Sequence, residues 1–340
     1  MAGKGSYIIV GENIHCTRVR MTGGKFLGKT ADGRDALVFK EGGRARLLPV
    51  PAAFIQSEEW ASGKVKHVQV ALRQGMSGPP AEAEDGKAYL RAMAAEQEAA
   101  GAWFLDVNVD EYSMDIGEKV AAMEWIAALL QAASSLPLSI DSSEPRILEA
   151  GLAACDKARG KPLVNSVSLE RAAMIPIAAA AGARVIAGAT GERRMPEGVQ
   201  ERVENTRRLV ALLDASGIAR GDIFLDPLVM PVSVNTANPG LFIEAVGQLR
   251  AEYGSAIHFS PGLSNVSFGL PRRPLINQVF AWLCWKAGCD GGIVDPAQIN
   301  DSVLASLDPD SGAAALAKEL LLGRDEYGMN WISACRDGQG

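Results

Sequence analysis

The sequence alternates between short β-rich runs and longer helical patterns along almost its whole length, and this alternation limits the folds that it can adopt. Eight runs are rich in β-branched and aromatic residues: YIIVGEN, WFLDVNV, LPLSIDS, PLVNSVS, ARVIAGAT, DIFLDPLV, AIHFSPG and GGIVDPA. The stretches between them, such as EKVAAMEWIAALLQAA, place apolar residues three and four apart, as amphipathic helices do. Repeated βα units predict an α/β fold with a parallel sheet.

Eight βα units favour a closed (β/α)8 TIM barrel over an open doubly wound sheet. The sequence has no GxGxxG motif at its first predicted helix, which counts against a dinucleotide-binding fold. A chain of 340 residues is long enough to form one large α/β domain. We therefore predict a single barrel domain over residues 1–340.

Residues 20–80 interrupt the repeat between the first predicted strand and the first predicted helix. TADGRDALVFKEGGRARLLPV and KVKHVQVALR alternate apolar and polar residues, and Asp32-Gly33 and Gly42-Gly43 are turn signals. The pattern predicts an inserted β-hairpin region of two or three strands. This region is either a packed decoration or a lid or docking surface.

Composition and charge exclude several classes of function. The formal net charge is -6 and no run of Lys and Arg stands out, so nucleic acid is not an expected partner. No apolar run approaches the roughly 20 residues that cross a bilayer, and the N-terminus lacks a leader pattern. Five scattered cysteines without a CxxC pair are typical of reduced thiols, so we expect a cytoplasmic protein without a membrane.

The three histidines, His15, His67 and His258, do not have the spacing of metal ligands, so no bound metal is expected. His15 follows the first strand and is either a satisfied polar residue or a catalyst. His258, inside the seventh strand, is expected in the core. The sequence also lacks a Walker A loop, a GxSxG elbow and a catalytic cysteine motif.

Polar residues recur where the predicted strands end, which is where a TIM barrel builds its active site. They are Glu12, Asn13, Asp106, Asn108, Asp141, Asn165, Asp226, Asn265 and Asp295. Asp106 and Asn108 are two residues apart and so share one face of a strand. For Asp141 and Asp295, a cap on the following helix is an equal alternative. A pocket of carboxylates and amides is suited to a flat heterocycle with N–H donors and ring acceptors.

These strand ends resemble the pterin-binding barrel family, which contains dihydropteroate synthase, the folate module of cobalamin-dependent methionine synthase and the methyltetrahydrofolate:corrinoid methyltransferases. The resemblance covers nearly all of the chain outside residues 20–80. It is carried by LDVNVD, LSIDSSEPRILEAGL, VNSVS, FLDPLVMPVS and GLSNVSFGLPRRPLINQVF. The last segment is similar to the methyltransferase branch, and the final strand, GGIVDPAQIND, lacks the basic residue expected of the synthase branch.

The resemblance implies that Asp141, Asn165 and Asp226 hold a pterin ring and that Asn265 hydrogen-bonds its N5 atom. Asn265 is therefore the candidate catalytic residue, placed in a turn-rich loop that lets it reach the ligand. An amide can donate to unprotonated N5 and accept from N5–H, and a hydrogen bond that strengthens in the transition state accelerates a reaction. Further candidates for binding the pterin are Glu12, Asn13, Asp106 and Asn108.

The resemblance also implies a substrate and a partner. The substrate is tetrahydrofolate or 5-methyltetrahydrofolate, and the methyl group moves to or from the cobalt of a corrinoid, a cobalamin, on a separate corrinoid protein. Arg272 and Arg273 contact the folate tail or this partner, or form a solvated helix start. We expect transfer from methylcorrinoid to tetrahydrofolate in a pathway such as O-demethylation, with the reverse direction as an alternative. A homodimer is expected, although the apolar FAWLCW and NWISAC faces fit core packing equally well.

Two other functions are alternatives. One is a condensation like that of dihydropteroate synthase, and the other is a non-catalytic pterin-binding module. An aldolase-type barrel is disfavoured because no predicted strand ends in a lysine that could form a Schiff base.

Overall fold

The computed structural model describes residues 7–338. Its strands are β1 (Ile8–His15), β2 (Arg20–Met21), β3 (Leu27–Lys29), β4 (Asp35–Glu41), β5 (Arg44–Pro49), β6 (Lys64–Val65), β7 (Phe104–Asn108), β8 (Leu138–Asp141), β9 (Leu163–Val167), β10 (Arg184–Gly188), β11 (Ile223–Asp226), β12 (His258–Phe259) and β13 (Gly291–Val294). Its helices are α1 (Ala52–Ile55), α2 (Glu58–Ala61), α3 (His67–Ser77), α4 (Pro80–Ala99), α5 (Ile116–Ala133), α6 (Pro145–Ala154), α7 (Met174–Ala181), α8 (Val199–Ala215), α9 (Asn238–Tyr253), α10 (Arg273–Lys286), α11 (Asp301–Ser306), α12 (Gly312–Leu321) and α13 (Met329–Arg336).

Eight strands form one sheet in the order β12, β11, β10, β9, β8, β7, β1, β13, so the eighth strand of the repeat lies beside the first. The seventh strand, β12, is followed by a parallel bridge between Gly262 and Ile293 that joins it to β13. An open doubly wound sheet would not connect its first and last strands in this way. All eight predicted strands are present, and the chain folds as a (β/α)8 TIM barrel.

The chain divides into two compact units. One unit comprises residues 7–10 and 163–338, and the other comprises residues 11–162. The prediction of one domain over residues 1–340 stays a prediction, and residues 1–6 and 339–340 lie outside the described part of the chain.

In the unit of residues 11–162, helices α3 and α4 cross at a close approach. A Cβ atom at Gly86 would lie 2.6 Å from the carbonyl oxygen of Ala71 and 2.6 Å from the backbone nitrogen of Gly75. Real Cβ atoms do not come this close to backbone atoms, so glycine is required there. This close approach fixes the packing of α4 against α3.

The inserted region forms a three-stranded antiparallel sheet of β3, β4 and β5. Glu41 pairs with Arg44, so Gly42 and Gly43 form a two-residue turn, and both have positive φ. This is the backbone that a tight hairpin prefers, and the predicted β-hairpin region is confirmed. The sheet is held to α4 by an ion pair of 2.7 Å between Arg46 and Asp85, and by the ring of Phe39, which packs edge-on against Tyr89 with centroids 5.1 Å apart. These contacts are those of a packed decoration.

The strand predicted in KVKHVQVALR is wrong, because β6 stops at Val65 and helix α3 begins at His67. Helix α3 is buried on most of its surface, including Val68, Val70 and Leu72. The buried side of α3 also includes the polar His67 and Gln74, which interrupt the apolar period of 3.6, and the alternating valines then imitate a strand.

In the unit of residues 7–10 and 163–338, Asp290 lies just before β13 and binds side chains from α9 and β12. Its carboxylate lies 2.8 Å from Nη2 of Arg250 and 2.8 Å from Nδ1 of His258. The side chain of His258 is 32 % exposed, so the prediction that it lies in the core is wrong. Burial tends to raise the pKa of Asp290, but the hydrogen bond from His258 and the charge of Arg250 outweigh it and lower that pKa.

The five cysteines are all free. The side chain of Trp331 in the NWISAC segment is fully buried, and its Nε1 donates to the carbonyl of Pro271 over 3.2 Å. Contacts within the chain therefore account for this apolar segment, and the predicted homodimer stays a prediction.

Candidate active site

In the unit of residues 11–162, a cluster of polar side chains forms where β1, β7 and β8 end. Nε2 of His15 lies 3.2 Å from Oδ2 of Asp141, and Nδ2 of Asn108 donates to the same oxygen over 3.1 Å. The register of β7 and β8 pairs Asn108 with Asp141, which explains why the two side chains meet. We call these three residues the His15 cluster.

Thr17 determines which nitrogen of the His15 ring carries the proton. The backbone N–H of Thr17 points at Nδ1 over 3.2 Å, and the Thr17 hydroxyl lies 2.7 Å from the same atom. A ring nitrogen that accepts from a backbone N–H has no proton of its own, so the neutral ring donates from Nε2 to Asp141. Oδ2 of Asp141 thus accepts two hydrogen bonds, while its Oδ1 accepts none from residues 7–338.

Asp141 does not cap the following helix, so that alternative is wrong. The residue that caps α6 is Glu144, whose Oε1 accepts from the backbone N–H of Arg146 over 3.4 Å. The side chains of His15 and Asp141 are each 23 % exposed. The second oxygen of Asp141 is therefore open to hydrogen-bond donors of a ligand.

Glu12 and Asn13 also lie on β1 and contact residues outside the His15 cluster. Glu12 forms an ion pair of 2.5 Å with Arg18, which also donates from Nε to the Glu12 carbonyl over 3.2 Å. The backbone N–H of Asn13 donates to Oε1 of Gln97 over 3.2 Å. These contacts hold the end of β1 in place.

Asp106 lies two residue pairs deeper in the sheet than Asn108. The register pairs it with Ser139, whose hydroxyl donates to Oδ1 of Asp106 over 2.5 Å, and Asp106 is only 2 % exposed. Its position on the same face as Asn108 agrees with the predicted spacing of two residues. Its depth indicates that it supports the rim of the strands from below.

In the other unit, Asn165 lies beside an irregularity of β9. Asn165 pairs with Ile186 of β10, and the register then slips by one residue, which leaves Ser166 as the extra residue of a bulge. Nη2 of Arg171 donates to the Ser166 hydroxyl over 2.9 Å. Bulges at the rim of a barrel re-aim neighbouring side chains, and Asn165 is half-buried at this one.

Asp226 ends β11 and lies in a strained turn. Its Oδ1 accepts the backbone N–H of Leu228 over 2.8 Å, and Leu228 has a φ of 68°. A left-handed conformation costs a leucine on the order of 1–3 kcal/mol, and such strain is concentrated at functional sites. Burial raises the pKa of Asp226 to about 6, although the N–H groups of Leu228 and Gly262 and the charge of Arg202 oppose the rise.

Asn265 lies in the short helical turn of residues 263–267 that follows β12, and its side chain is exposed. A Cβ atom at Gly262 would lie 3.1 Å from Nδ2 of Asn265, so the amide folds back over that glycine. Within residues 7–338 the side-chain amide makes no hydrogen bond. Both its donor and its acceptor are therefore available to a ligand.

The neighbouring arginines, Arg272 and Arg273, have different surroundings. Nη2 of Arg273 donates to the carbonyl of Ser264 over 2.8 Å, and its Nε donates to the Ser267 hydroxyl over 3.0 Å. Arg273 thus holds the turn that carries Asn265. Arg272 is exposed and has a φ of 52°, which directs the chain into α10.

Asp295 follows β13 and stabilises its own turn. Its Oδ1 accepts the backbone N–H of Ala297 over 3.1 Å, and its Oδ2 accepts from Nε2 of Gln298 over 2.6 Å. The cap of the next helix is Asn300, whose Oδ1 accepts from Val303 over 3.0 Å. The helix-cap alternative is therefore wrong for Asp295 also.

Arg202 is a charged residue near Asp226 that the sequence analysis did not identify. It lies in the first turn of α8 with no exposed surface. The sequence contained a signal that Arg202 is buried. Arg202 and Thr206 lie on the apolar face of this helix, which also carries Val199, Val203 and Val210.

Across residues 7–338, no group of three or more His, Cys, Asp and Glu side chains is arranged to hold a metal ion. No helix in this part of the chain combines the length and the apolar character needed to cross a membrane.

The sequence is similar to several known proteins. The family model described as pterin binding enzyme matches residues 84–295. The methylcorrinoid:tetrahydrofolate methyltransferase of Eubacterium limosum is 31 % identical over 264 residues, which cover 75 % of this chain and 90 % of that protein. The methionine synthase of Mycobacterium tuberculosis (strain ATCC 25618 / H37Rv) is 30 % identical over 248 residues, which cover 65 % of this chain and 20 % of that longer protein.

Among solved structures, dihydropteroate synthase from Stenotrophomonas maltophilia has a TM-score of 0.52 at 18 % identity, covering 66 % of this chain and 87 % of that one. This likeness supports the fold alone.

The barrel and its matched residues define the class of protein: the chain belongs to the pterin binding enzyme family. Within the family it resembles the methyltransferases that act with folate and corrinoid, so the predicted branch is confirmed. The protein is a methyltransferase.

Proposed function

We propose that this protein transfers a methyl group from a methylcorrinoid on a partner protein to N5 of tetrahydrofolate. The observation that carries the proposal is the similarity to the methylcorrinoid:tetrahydrofolate methyltransferase, which extends over 90 % of that protein. A methylcorrinoid of this kind is the product of a demethylation reaction, such as the O-demethylation of a methyl ether. The reverse reaction uses the same residues.

Asp141, Asn165 and Asp226 are the proposed ligands of the pterin ring. The ring presents N–H and NH2 donors beside ring-nitrogen and carbonyl acceptors, and each of these needs a partner once it is buried. The free Oδ1 of Asp141 and the ionised carboxylate of Asp226 supply acceptors. The amide of Asn165 supplies one donor group and one acceptor.

The remaining candidates have supporting roles in this proposal. Asn108 and His15 orient the carboxylate of Asp141, and Asp106 supports the face on which Asn108 lies. Glu12 and Asn13 hold the end of β1 that carries His15.

Asn265 is the proposed catalytic residue. The lone pair of N5 attacks the methyl carbon, the carbon–cobalt bond breaks with its electron pair left on the cobalt, and the N5 proton is released. Positive charge develops on N5–H, so a hydrogen bond to the Asn265 carbonyl strengthens in the transition state. In the reverse direction N5 of 5-methyltetrahydrofolate takes up a proton before the methyl group leaves, so the Asn265 carbonyl accepts from the same N5–H in that transition state, while the amide NH2 can donate to N5 only before it is protonated. Loss of the Asn265 amide is therefore expected to lower kcat and not the affinity for folate.

The corrinoid is supplied by a separate corrinoid protein, and Arg272 is proposed to bind an acidic group, either the glutamate tail of folate or a carboxylate of that partner. Comparison of monoglutamyl and triglutamyl tetrahydrofolate with Arg272→Ala distinguishes the two. If Arg272 binds the tail, the variant loses the preference for triglutamate. If it binds the partner, the KM for the corrinoid protein rises and depends less on salt.

The function is tested by mixing the purified protein with tetrahydrofolate and methylcobalamin without oxygen. We expect the methyl–cobalt absorbance band to disappear only when both the protein and tetrahydrofolate are present. The assay is repeated with a methylated corrinoid protein as the donor. No folate-dependent demethylation of either donor, by a protein that binds tetrahydrofolate, would overturn the proposal.

The role of Asn265 is tested with Asn265→Ala and a matched control, Asn235→Ala. Asn235 is an exposed asparagine in the loop after β11, where its Oδ1 accepts from the backbone N–H of Ala237 over 2.9 Å. We expect kcat to fall about 100-fold in Asn265→Ala, since one hydrogen bond that is made in the transition state contributes about 3 kcal/mol. The control is expected to keep its kcat. Wild-type turnover in Asn265→Ala would exclude the assigned role.

A further inference from the structure

The guanidinium of Arg202 is buried without enough hydrogen bonds to offset its loss of hydration. Nη1 donates to the carbonyl of Pro227 at a long 3.4 Å. Nε and Nη2 are buried and have no hydrogen-bond partner within the described residues. A buried charge without close partners destabilises a protein by several kcal/mol. Such a residue is expected where function requires it.

The carboxylate whose charge acts on Arg202 is that of Asp226. Burial lowers the pKa of Arg202 and the negative charge of Asp226 opposes this, although an arginine stays protonated at neutral pH. No carboxylate of residues 7–338 lies within 4.0 Å of the Arg202 guanidinium, so the two groups interact across a gap. Because Asp226 forms no direct ion pair, the acceptor positions that its backbone hydrogen bonds leave unused remain available to a ligand.

We propose that Arg202 is a positioning residue for pterin binding, and that its charge keeps Asp226 an acceptor of hydrogen bonds from the pyrimidine edge of the ring. This inference rests on the proposed function and adds a residue to the same site. The pyrimidine edge of a pterin presents adjacent N–H donors. A protonated Asp226 would present a donor of its own to them and bind them poorly.

The surroundings of Asp226 leave Arg202 as its one cationic neighbour among the described residues. The backbone N–H groups of Leu228 and Gly262 donate to the Asp226 carboxylate. The Cys289 thiol also lies within electrostatic range, but burial raises its pKa, so it stays neutral. Loss of the Arg202 charge is therefore expected to favour the protonated form of Asp226.

The first test measures the Asp226 carboxyl group directly, in the absence of folate. Protein labelled with 13C at the aspartate carboxyl is titrated by NMR, and the Asp226 signal is assigned from its loss in Asp226→Asn. We expect Arg202→Met to move the titration midpoint up by about one pH unit and Arg202→Lys to restore most of this change. An unchanged midpoint in folded Arg202→Met would overturn the inference, whether or not the protein binds folate.

The second test measures the affinity for tetrahydrofolate as a function of pH. If the midpoint rises from about 6 to about 7, the ionised fraction at pH 6 falls from about one half to about one tenth. Arg202→Met is then expected to bind about fivefold more weakly at pH 6 and about equally at pH 8. A loss of affinity that is equal at all pH values would indicate a structural role and contradict the proposal. Wild-type protein that fails to bind folate would contradict the proposed function while the NMR result stands.

The unfolding temperature of Arg202→Met separates a role in folate binding from a role in the fold alone. Methionine has a volume similar to that of arginine and removes the buried charge. Arg202→Met is expected to unfold at the same temperature as the wild type or higher, while it binds folate more weakly at pH 6. A lower unfolding temperature together with an unchanged carboxyl midpoint would assign Arg202 to the fold alone.

Discussion

The Nε2 atom of His15 lies 3.2 Å from Oδ2 of Asp141. Because Thr17 occupies Nδ1 of the ring, the neutral histidine donates to the carboxylate and cannot accept from it. Asn108 donates to the same oxygen over 3.1 Å. One oxygen of Asp141 is thereby satisfied inside the protein, and the carboxyl plane is held so that the other oxygen is presented to a ligand.

His15→Phe is expected to weaken tetrahydrofolate binding about fivefold, with little change in kcat. The substitution removes one hydrogen bond to Asp141, which contributes about 1 kcal/mol, and keeps a flat ring in the same space. The dissociation constant is measured by calorimetry. The matched control is His258→Phe, since His258 also has a ring nitrogen 2.8 Å from a carboxylate, that of Asp290. Equal losses of affinity in the two variants would contradict a specific role for His15.

The pKa of Asp226, raised from 3.8 to about 6, predicts opposite pH trends for stability and for binding. Between these values the folded state binds more protons than the unfolded state, so the free energy of unfolding falls as pH rises through this window. The expected decrease is on the order of 2 kcal/mol. Folate affinity is expected to rise as pH passes 6, because the ionised carboxylate is the acceptor.

Urea unfolding of the wild type and Asp226→Asn at pH 4.5 and pH 7.5 measures this contribution. The variant is expected to lack the decrease attributed to Asp226 and to gain stability relative to the wild type at the higher pH. Parallel pH dependences of the two proteins would show that Asp226 titrates at its ordinary value.

The strand ends that carry the candidate site could be predicted from the sequence. A TIM barrel builds its active site where its strands end, and the end of a strand is visible in the local sequence pattern. Asn108 and Asp141 are each the last residue of a strand, and the register of β7 and β8 brings them together. The donor partners of Asp141 could not be predicted, because they depend on the packing of His15 from another strand. Sequence spacing shows which face a residue shares, but it does not show which side chain occupies the facing position.

The two clearest gaps in the sequence analysis have a common physical cause. Helix α3 looks like a strand in the sequence because its buried side includes the polar His67 and Gln74, and Arg202 is missed because it lies on a helix face that is otherwise apolar. In both cases burial does not follow polarity along the chain. Hydrophobic periodicity is informative only when the buried face is the apolar face.

Gly262→Ala is expected to lower kcat about tenfold without changing folate affinity. The added Cβ atom would lie 3.1 Å from Nδ2 of Asn265 and would displace the amide, and small displacements of catalytic groups are costly. The control is Gly247→Ala in α9, where nothing lies within 4 Å of the added atom. There the substitution is expected to stabilise the protein by about 0.5–1 kcal/mol and to leave kcat unchanged. Wild-type kcat in Gly262→Ala would mean that the amide of Asn265 tolerates displacement.

Arg273→Met is expected to lower kcat about fivefold while folate affinity changes less than about twofold. The arginine holds the turn of Asn265 through bonds of 2.8 Å to the Ser264 carbonyl and 3.0 Å to the Ser267 hydroxyl, each contributing about 1 kcal/mol. Without them the turn samples arrangements in which the amide does not meet N5, so the loss falls on the chemical step. The adjacent Arg272→Met, which removes an equal charge, is expected to change KM while kcat at saturation is kept. Single-turnover rates of the two variants with methylcobalamin separate these effects, and equal decreases in rate would assign both arginines to general electrostatic attraction rather than to the support of Asn265.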